Sequence, residues 1–513
     1  MKTILFVINE AGEFVELSKV ALALKSRGYN SSFLFTSSHY VNLYKDTTIC
    51  ESHGFNYYHP SKSHLPPAPV ILEEKATDIE EKLGNGYIPY SFLLNPEKNY
   101  RIKSIFIVLL IMPLIFPQLI YKTILRLSKR PFMLLMKPFY KLHFIHNFYY
   151  AYKVINKNNF DLLVFGQDYP GSINSSLIKS CRKSNIPTLI IPFALGTTKE
   201  IVESLYDKKQ FRVLNSPINR LASILFPKWV NYYKGEKMLR LTGNQILILE
   251  FLGLSPKHPW LPNSSYATHI AVESPKMHSY YKSMQFPSEQ LCLTGSLSDD
   301  ILAEGEHQKE KIKAALCKEL GLDYNKPILL CAWPTNQYGS RFTPLEFKSF
   351  EPLCNAWAKS LRKILQENTY SIIIRPHPVT NSAILKSILV KYGLSKYISY
   401  KDTIKLMIVS DLFVACVSST LRWAISKGIP AINYDCYKYG YTDFDAKGVF
   451  NVDNYKDFNK VLHDLTYDSE QYNTAKKAQE QSAPDWGVLD GNSKHRIIDL
   501  VNKLLHQHNS ELA

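Results

Sequence analysis

Short apolar runs alternate with helical stripes along most of the chain. Lys2–Asn9 is a run of strand length bounded by polar residues, suited to a strand buried on both faces. Phe14, Leu17, Val20, Ala21 and Leu24 then recur at helical spacing, Arg27-Gly28-Tyr29-Asn30 ends the helix, and Ser32–Thr36 returns to a strand pattern. This is a βαβ opening. Its loop carries Gly12 but no GxGxxG, so it is not a dinucleotide fingerprint. A second βα unit runs through Asp161–Phe165, the loop Gly166–Gly171 and a helix to about Cys181, and Pro187–Pro192, Thr268–Glu273 and Gln290–Thr294 read as further strands. From about 300 the alternation restarts. Strands are expected at Pro327–Ala332, Ser371–Arg375, Asp411–Cys416 and Ile429–Tyr434, with helices over Lys309–Leu320, Leu345–Gln366, Ser382–Tyr392, Thr403–Ser410, Ser418–Lys427, 456–481 and 492–507.

The pattern predicts an α/β protein of two Rossmann-like halves, each an open parallel sheet, facing a cleft. The expected divisions are 1–285 for the first half, 286–485 for the second and 486–513 for a C-terminal helix. An insert at 95–150 interrupts the first half. Ile105–Ile120 is apolar but short of the roughly 20 residues of a spanning helix, and Pro113 and Pro117 break it. A single crossing would also separate strands that must share a sheet. Lys and Arg then interleave with Phe, Leu, Met and Tyr, the composition of an interfacial helix against anionic lipid.

Composition sharpens this. The chain has 513 residues, 45% hydrophobic and 21% charged, which excludes disordered, collagen-like and polytopic membrane classes. Its formal net charge is +16, which calls for an anionic partner. Residues 101–148 hold eight Lys/Arg and no Asp or Glu, so half the net charge sits in the apolar insert and favours a membrane surface. No nucleic-acid partner is expected, since the aromatics of that segment are embedded in aliphatic runs rather than set out for stacking. The eight Cys form no CxxC and no zinc-ligand spacing, and read as buried reduced thiols. The first residues, with Glu10 and Glu13 after a short apolar run, read as a strand and not a leader. The expected place is cytoplasmic, on the inner face of the cell membrane.

Three segments carry chemistry. Ile372–Pro378 is a buried strand ending in Arg375 and His377, the imidazole held between Pro376 and Pro378, a pair suited to phosphate at a sheet's carboxyl end. Ser410–Thr420 is a strand ending in Ser418, Ser419 and Thr420 where a helix opens, which offers hydroxyls, backbone N–H groups and a helix dipole to an anion. The third is Leu293–Asp300, with Thr294-Gly295-Ser296 at the junction of the halves.

Taken in order, TGSxxxD, a strand, RPHP, SST and then GIPAINYD resemble the nucleotide-binding half of GT-B glycosyltransferases of bacterial surface and capsular polysaccharide synthesis. The HP and SS/ST pair is similar to that of sialyltransferases, Kdo transferases and CDP-glycerol phosphotransferases. The resemblance spans roughly 290–450. It implies a nucleotide-sugar donor held by Arg375, His377, Ser418, Ser419 and Thr420, with the loop Trp333–Tyr338, Trp333 and Gln337 included, lining the cleft. A glycan or lipid-linked acceptor would enter over the first half. Where many GT-B enzymes carry a ribose-binding Glu, this chain has Arg422-Trp423, which leans towards a CMP- or CDP-linked donor.

Transfer needs a general base from the first half. Glu10, Glu13 and Asp168 lie at expected strand ends, with Glu13 and Asp168 preferred, and Lys199 and Glu200 are further cleft residues. His377 is counted with the catalytic residues as well as the donor ligands. No metal and no cofactor beyond the donor is expected, because the anion site would balance the leaving phosphate. The expectation is a membrane-associated glycosyltransferase. A CDP-alditol phosphotransferase and a non-catalytic binding protein, the latter suggested by Trp423, are the alternatives. A sugar-nucleotide 2-epimerase fits less well, since YDCYKYGYTDF lacks that family's signature.

Overall fold

The computed structural model describes residues 2–37, 40, 42–60, 142–192, 196–264, 266–338, 344–377, 380, 382–440 and 443–512. The insert expected at 95–150 lies outside these up to residue 141; from Leu142 its chain is the helix Leu142–Asn158. Among the described residues no helix is long and apolar enough to cross a membrane.

Among the described residues fourteen strands run in chain order: β1 Thr3–Ile8, β2 Asn30–Phe35, β3 Asn56–Tyr58, β4 Leu162–Phe165, β5 Thr188–Ile190, β6 Val230–Tyr233, β7 Glu236–Leu239, β8 His269–Val272, β9 Leu291–Leu293, β10 Ile328–Ala332, β11 Ser371–Arg375, β12 Leu412–Ala415, β13 Ala431–Tyr434 and β14 Val449–Val452. The first sheet has the order β3-β2-β1-β4-β5-β8-β9 and the second β11-β10-β12-β13-β14, all parallel. The α/β reading with two parallel sheets therefore holds. The apolar runs are continuous because helices cover both faces of each sheet. Along β1, Ile4, Phe6 and Ile8 point into one core while Leu5 and Val7 point into the other.

The first sheet runs further than the division at 285 allows, because β9 pairs with β8. The C-terminal helix Ser493–Leu512 returns to the first half, where Ile497, Val501 and Leu504 pack with Ile4 and Phe6. Between β5 and β8 the chain builds an insertion that periodicity does not reveal. It holds the helices Thr198–Tyr206, Pro217–Leu225 and Gly243–Phe251 and the antiparallel hairpin β6–β7, around small cores of their own.

Candidate active site

In the second sheet β11 and β12 flank β10 on opposite sides. The crevice beyond the carboxyl ends of β10 and β12 is thus a topological switch point, where open sheets take their ligands. The three expected donor segments leave adjacent strands there: Trp333–Tyr338 after β10, Arg375 to His377 at β11, and Ser418–Thr420 after β12. Ala332 pairs with Arg375, and the Trp333 N–H donates to the Arg375 carbonyl at 3.0 Å.

The turn after β12 is held in an unusual shape. Val417 has φ +42°, in the left-handed region that a β-branched residue rarely adopts. Its N–H donates to Asn433 Oδ1 at 2.9 Å, and Asn433 Nδ2 donates to Asn451 Oδ1 at 2.8 Å on the next strand. Asn451 Nδ2 in turn donates to the Phe444 carbonyl at 3.0 Å. This chain of amides fixes the point at which the helix Leu421–Ser426 begins. Ser418 Oγ lies 2.8 Å from Thr420 Oγ1 and accepts the Thr420 N–H at 3.3 Å, while Ser419 is exposed. The amide chain was not anticipated from sequence; the one signal was a lone Asn inside the apolar strand of GIPAINYD.

His377 is exposed beyond β11. Partial desolvation, and then the Arg375 guanidinium, hold its pKa below the usual imidazole range, so it is neutral at pH 7. Arg375 is less free than expected. Its Nε donates to the Lys401 carbonyl at 2.7 Å and its Nη1 to the Pro376 carbonyl, so it stands beside His377 as a fixed positive charge. Gln337 faces the loop after β13: its Oε1 accepts from Tyr439, its backbone N–H donates to Tyr437 Oη at 3.4 Å, and its Nε2 donates to Thr335 Oγ1 at 3.2 Å. Trp333 departs from expectation. Its side chain is buried, packed edge-on against Trp357 at 6.0 Å in the core, and so does not line the cleft. An aromatic that opens a loop can turn either way, and here the large apolar surface turns inward.

The first sheet has its own switch point, between β1 and β4. Glu13 and Asp168 both come to it, but beneath its surface. Glu13 is 0% exposed. Its Oε2 accepts the N–H groups of Asn9 and Glu10, and its Oε1 accepts Asn174 Nδ2 at 3.0 Å, a helix-capping arrangement. Burial pushes its pKa up to about 8 against the pull of those hydrogen bonds. Gly166 makes room for it, since a Cβ there would stand 2.6 Å from Glu13 Cγ. Asp168 is 1% exposed, and Asn263 clamps its backbone: the Asp168 N–H donates to Asn263 Oδ1 at 2.9 Å, and the Asn263 N–H returns to the Asp168 carbonyl at 3.0 Å.

The halves meet at the loop after β5. Thr197 Oγ1 donates to Asp443 Oδ2 at 2.6 Å, and Lys276 pairs with Asp445 at 2.8 Å. Three residues on, Glu200 is half-buried; burial first and then the Asp443 charge raise its pKa to about 7. Arg422 stands at one of the two positions where a ribose-binding Glu would be expected. Its guanidinium is buried and turned from the crevice, donating to Asp299 Oδ1 at 2.8 Å, the Trp486 carbonyl at 3.2 Å and Ser296 Oγ at 2.9 Å.

The sequence profile of the CDP-glycerol:poly(glycerophosphate) glycerophosphotransferases matches residues 229–503, more than half of the chain. The chain belongs to this family. The matched region holds every donor-site segment described above, and it makes the protein a transferase of the class that builds surface polymers from nucleotide-activated precursors. No curated protein matches the sequence. Among solved structures, the UDP-GlcNAc 2-epimerase of Neisseria meningitidis bound to UDP-GlcNAc is similar at 12% identity and TM-score 0.48, covering 98% of this chain and 100% of that one. The wall teichoic acid polymerase TagF is similar at 10% identity and TM-score 0.47, covering 99% and 90%. A glycosyltransferase from Rickettsia africae stands at 10% identity and TM-score 0.45, covering 98% of each chain.

Proposed function

We propose that this family member transfers an alditol phosphate, glycerol phosphate in the first instance, from a CDP-linked donor to a hydroxyl of a growing surface polymer. The observation that carries the reading is the family match across 229–503, which takes in β10, β11, β12 and the loops that follow them. It moves the weight from transfer of a sugar to transfer of a phosphoalditol. The acceptor oxygen attacks the alditol-bearing phosphorus. A new P–O ester bond forms, the bond from that phosphorus to the bridging oxygen breaks, and CMP leaves with the electron pair. The Arg375 charge, neutral His377 and the Ser418–Thr420 turn hold the two phosphates as negative charge shifts to the leaving group. The proton of the attacking hydroxyl goes to a carboxylate of the first half. Glu200, at the bridge between halves and with a pKa of about 7, suits this better than the enclosed Glu13 and Asp168.

Release of CMP from CDP-glycerol by the purified protein, with a polyglycerol phosphate primer, tests the reading. The expected result is CMP release and primer extension, with His377→Ala reduced at least about 100-fold at an unchanged unfolding midpoint. Glu200→Gln should lower kcat with little change in the KM for donor. UDP release from a sugar nucleotide, with CDP-glycerol left intact, would overturn the phosphotransfer reading.

A further inference from the structure

One guanidinium in the insertion between β5 and β8 has no counter-charge. Arg240 follows β7, the second strand of the hairpin. The backbone fixes its place: the Arg240 N–H donates to the carbonyl of the wholly buried Trp229 at 3.2 Å, and Met238, two residues earlier, packs in the small core with Ile201, Leu205 and Trp260. The residue is half-buried, and its enclosed Nε meets no hydrogen-bond partner among the described residues. Burial draws its pKa down to about 10, so the guanidinium is still charged at neutral pH. Among the described residues the ionisable group that acts on it is the Tyr169 phenol and not a carboxylate. That phenol is itself protonated, since burial raises its pKa to about 12. Elsewhere Arg422 meets Asp299, Arg496 meets Asp490 and Arg212 meets Glu236. An enclosed charge with nothing opposite it is costly, and sites for an oppositely charged ligand are where folds keep one.

The surroundings of Arg240 say which ligand. Leu241, the next residue, lies on the loop that leaves β4: a Cβ on Gly171 would stand 3.0 Å from Leu241 Cδ1. Tyr169 belongs to the same loop, at the switch point of the first sheet, and a Cβ on Gly196 would stand 2.9 Å from its hydroxyl oxygen. Gly196 precedes Thr197, which bridges to Asp443 of the second half. Tyr169 also lies in the field of Glu200. Arg240, Tyr169 and Glu200 therefore gather on the first-half side of the cleft, whereas Arg375, His377 and Ser418–Thr420 belong to the second sheet. We infer that Arg240 is an anion subsite for the acceptor: its guanidinium, with the Tyr169 hydroxyl as a second donor, takes a phosphodiester of the acceptor polymer. The planar fork of N–H donors matches phosphate oxygens in both charge and geometry, and a neutral sugar in geometry at most. With Glu200 accepting the proton of the attacking hydroxyl, the phosphate on Arg240 comes from the end of the chain being extended. The subsite thus selects a polyol phosphate over a neutral glycan. The identity of the acceptor rests on the transfer reading; the uncompensated charge does not.

Equilibrium binding of a fluorescently labelled polyglycerol phosphate primer to the full-length protein, with no donor present, tests the inference without any transfer step. The wild type should bind this primer and not an unphosphorylated oligosaccharide of similar length. Arg240→Met should weaken primer binding about tenfold or more, while the Kd for CDP-glycerol stays within about twofold. Arg240→Lys keeps the charge and loses the fork, and should fall between the two. Without ligand, Arg240→Met should unfold at the same or a higher urea concentration than wild type, because an enclosed charge with no partner has been removed. Unchanged primer affinity in Arg240→Met would overturn the inference, and so would equal binding of the neutral oligosaccharide. A matching loss of CDP-glycerol affinity would overturn it by placing Arg240 on a donor phosphate, and a lowered urea midpoint would overturn it by making the arginine structural. Primer binding that depends on Arg240, in a protein that releases no CMP from CDP-glycerol, would uphold the subsite and count against the transfer reading alone.

Discussion

Val417 holds a backbone conformation that its own side chain opposes. Residues kept in such a region cost about 1–3 kcal/mol, and the surroundings must over-determine them. Here the Asn433 amide, buried on β13 and braced by Asn451 on β14, supplies the hold. Val417→Gly removes the steric cost, while glycine adds about 0.5–1 kcal/mol of chain entropy to be lost on folding. The variant should therefore unfold at the same or a higher urea concentration than wild type, yet bind CDP-glycerol more weakly, because the turn before Ser418 is no longer forced. Urea titrations with and without the nucleotide would read both. A clearly lower midpoint would mean that side-chain packing, not backbone strain, governs the position. His377 gives a second prediction. Desolvation and the Arg375 charge depress its pKa, so a reaction that needs the neutral imidazole loses rate only as pH falls through a value below the usual 6.5 or so. Removing the positive charge relieves part of that depression. In Arg375→Gln the acid limb of the kcat/KM profile should move to higher pH, and a limb that stays in place would separate His377 from the titration.

At the scale of elements, the sequence was readable where both faces of a strand are buried or where a helix has a single apolar stripe and a clear stop. Lys309–Leu320 and Ser371–Arg375 fall where expected for those reasons. Three places were not readable. Thr198–Phe251 divides its apolar residues between small inner cores and an exposed face, so no single stripe marks its helices. Val449–Val452 is a half-exposed edge strand too short to stand out. The helix expected over 456–481 is two, because the Asp468 side chain caps the second, accepting the N–H groups of Glu470 and Gln471. The site was legible to the same depth. That Arg375, His377 and Ser418–Thr420 leave strand ends on the same edge of the sheet follows from its strands being parallel. The direction of each side chain does not follow. Trp333 turns into the core against Trp357 of the next helix, while Glu13 caps a helix below the surface and Arg422 pairs with Asp299, the last two decided by partners more than a hundred residues away.

At the scale of the molecule, Arg422 joins parts of the chain that must stay in register for two halves to share one cleft. It ties the helix that opens behind Ser418–Thr420 to Asp299 and Ser296 at the start of the helix Leu297–Glu306, and to the Trp486 carbonyl where the chain turns back to the first half. Asp299 is wholly enclosed and also accepts the N–H groups of Ser296 and Val488. Glu273, just past β8, is buried at the same node, and among the described residues no other residue hydrogen-bonds its carboxyl oxygens; burial, opposed by the Arg422 charge, raises its pKa to about 7. Two carboxyl groups thus depend on one guanidinium. A Glu placed at 422, as many GT-B enzymes carry near this position, would gain no ribose to bind and would meet Asp299 and Glu273 in the dark of the node. Breaking a buried pair by removing one partner costs about 3–5 kcal/mol. Arg422→Glu should lose at least that, read as a fall in the urea midpoint, and should show no gain in nucleotide affinity. Arg422→Glu combined with Asp299→Arg should recover part of the loss, because an ion pair is again possible between the two positions. An Arg422→Glu protein as stable as wild type, or one that binds CDP-glycerol more tightly, would return position 422 to the donor site and remove this node from the connection between the halves.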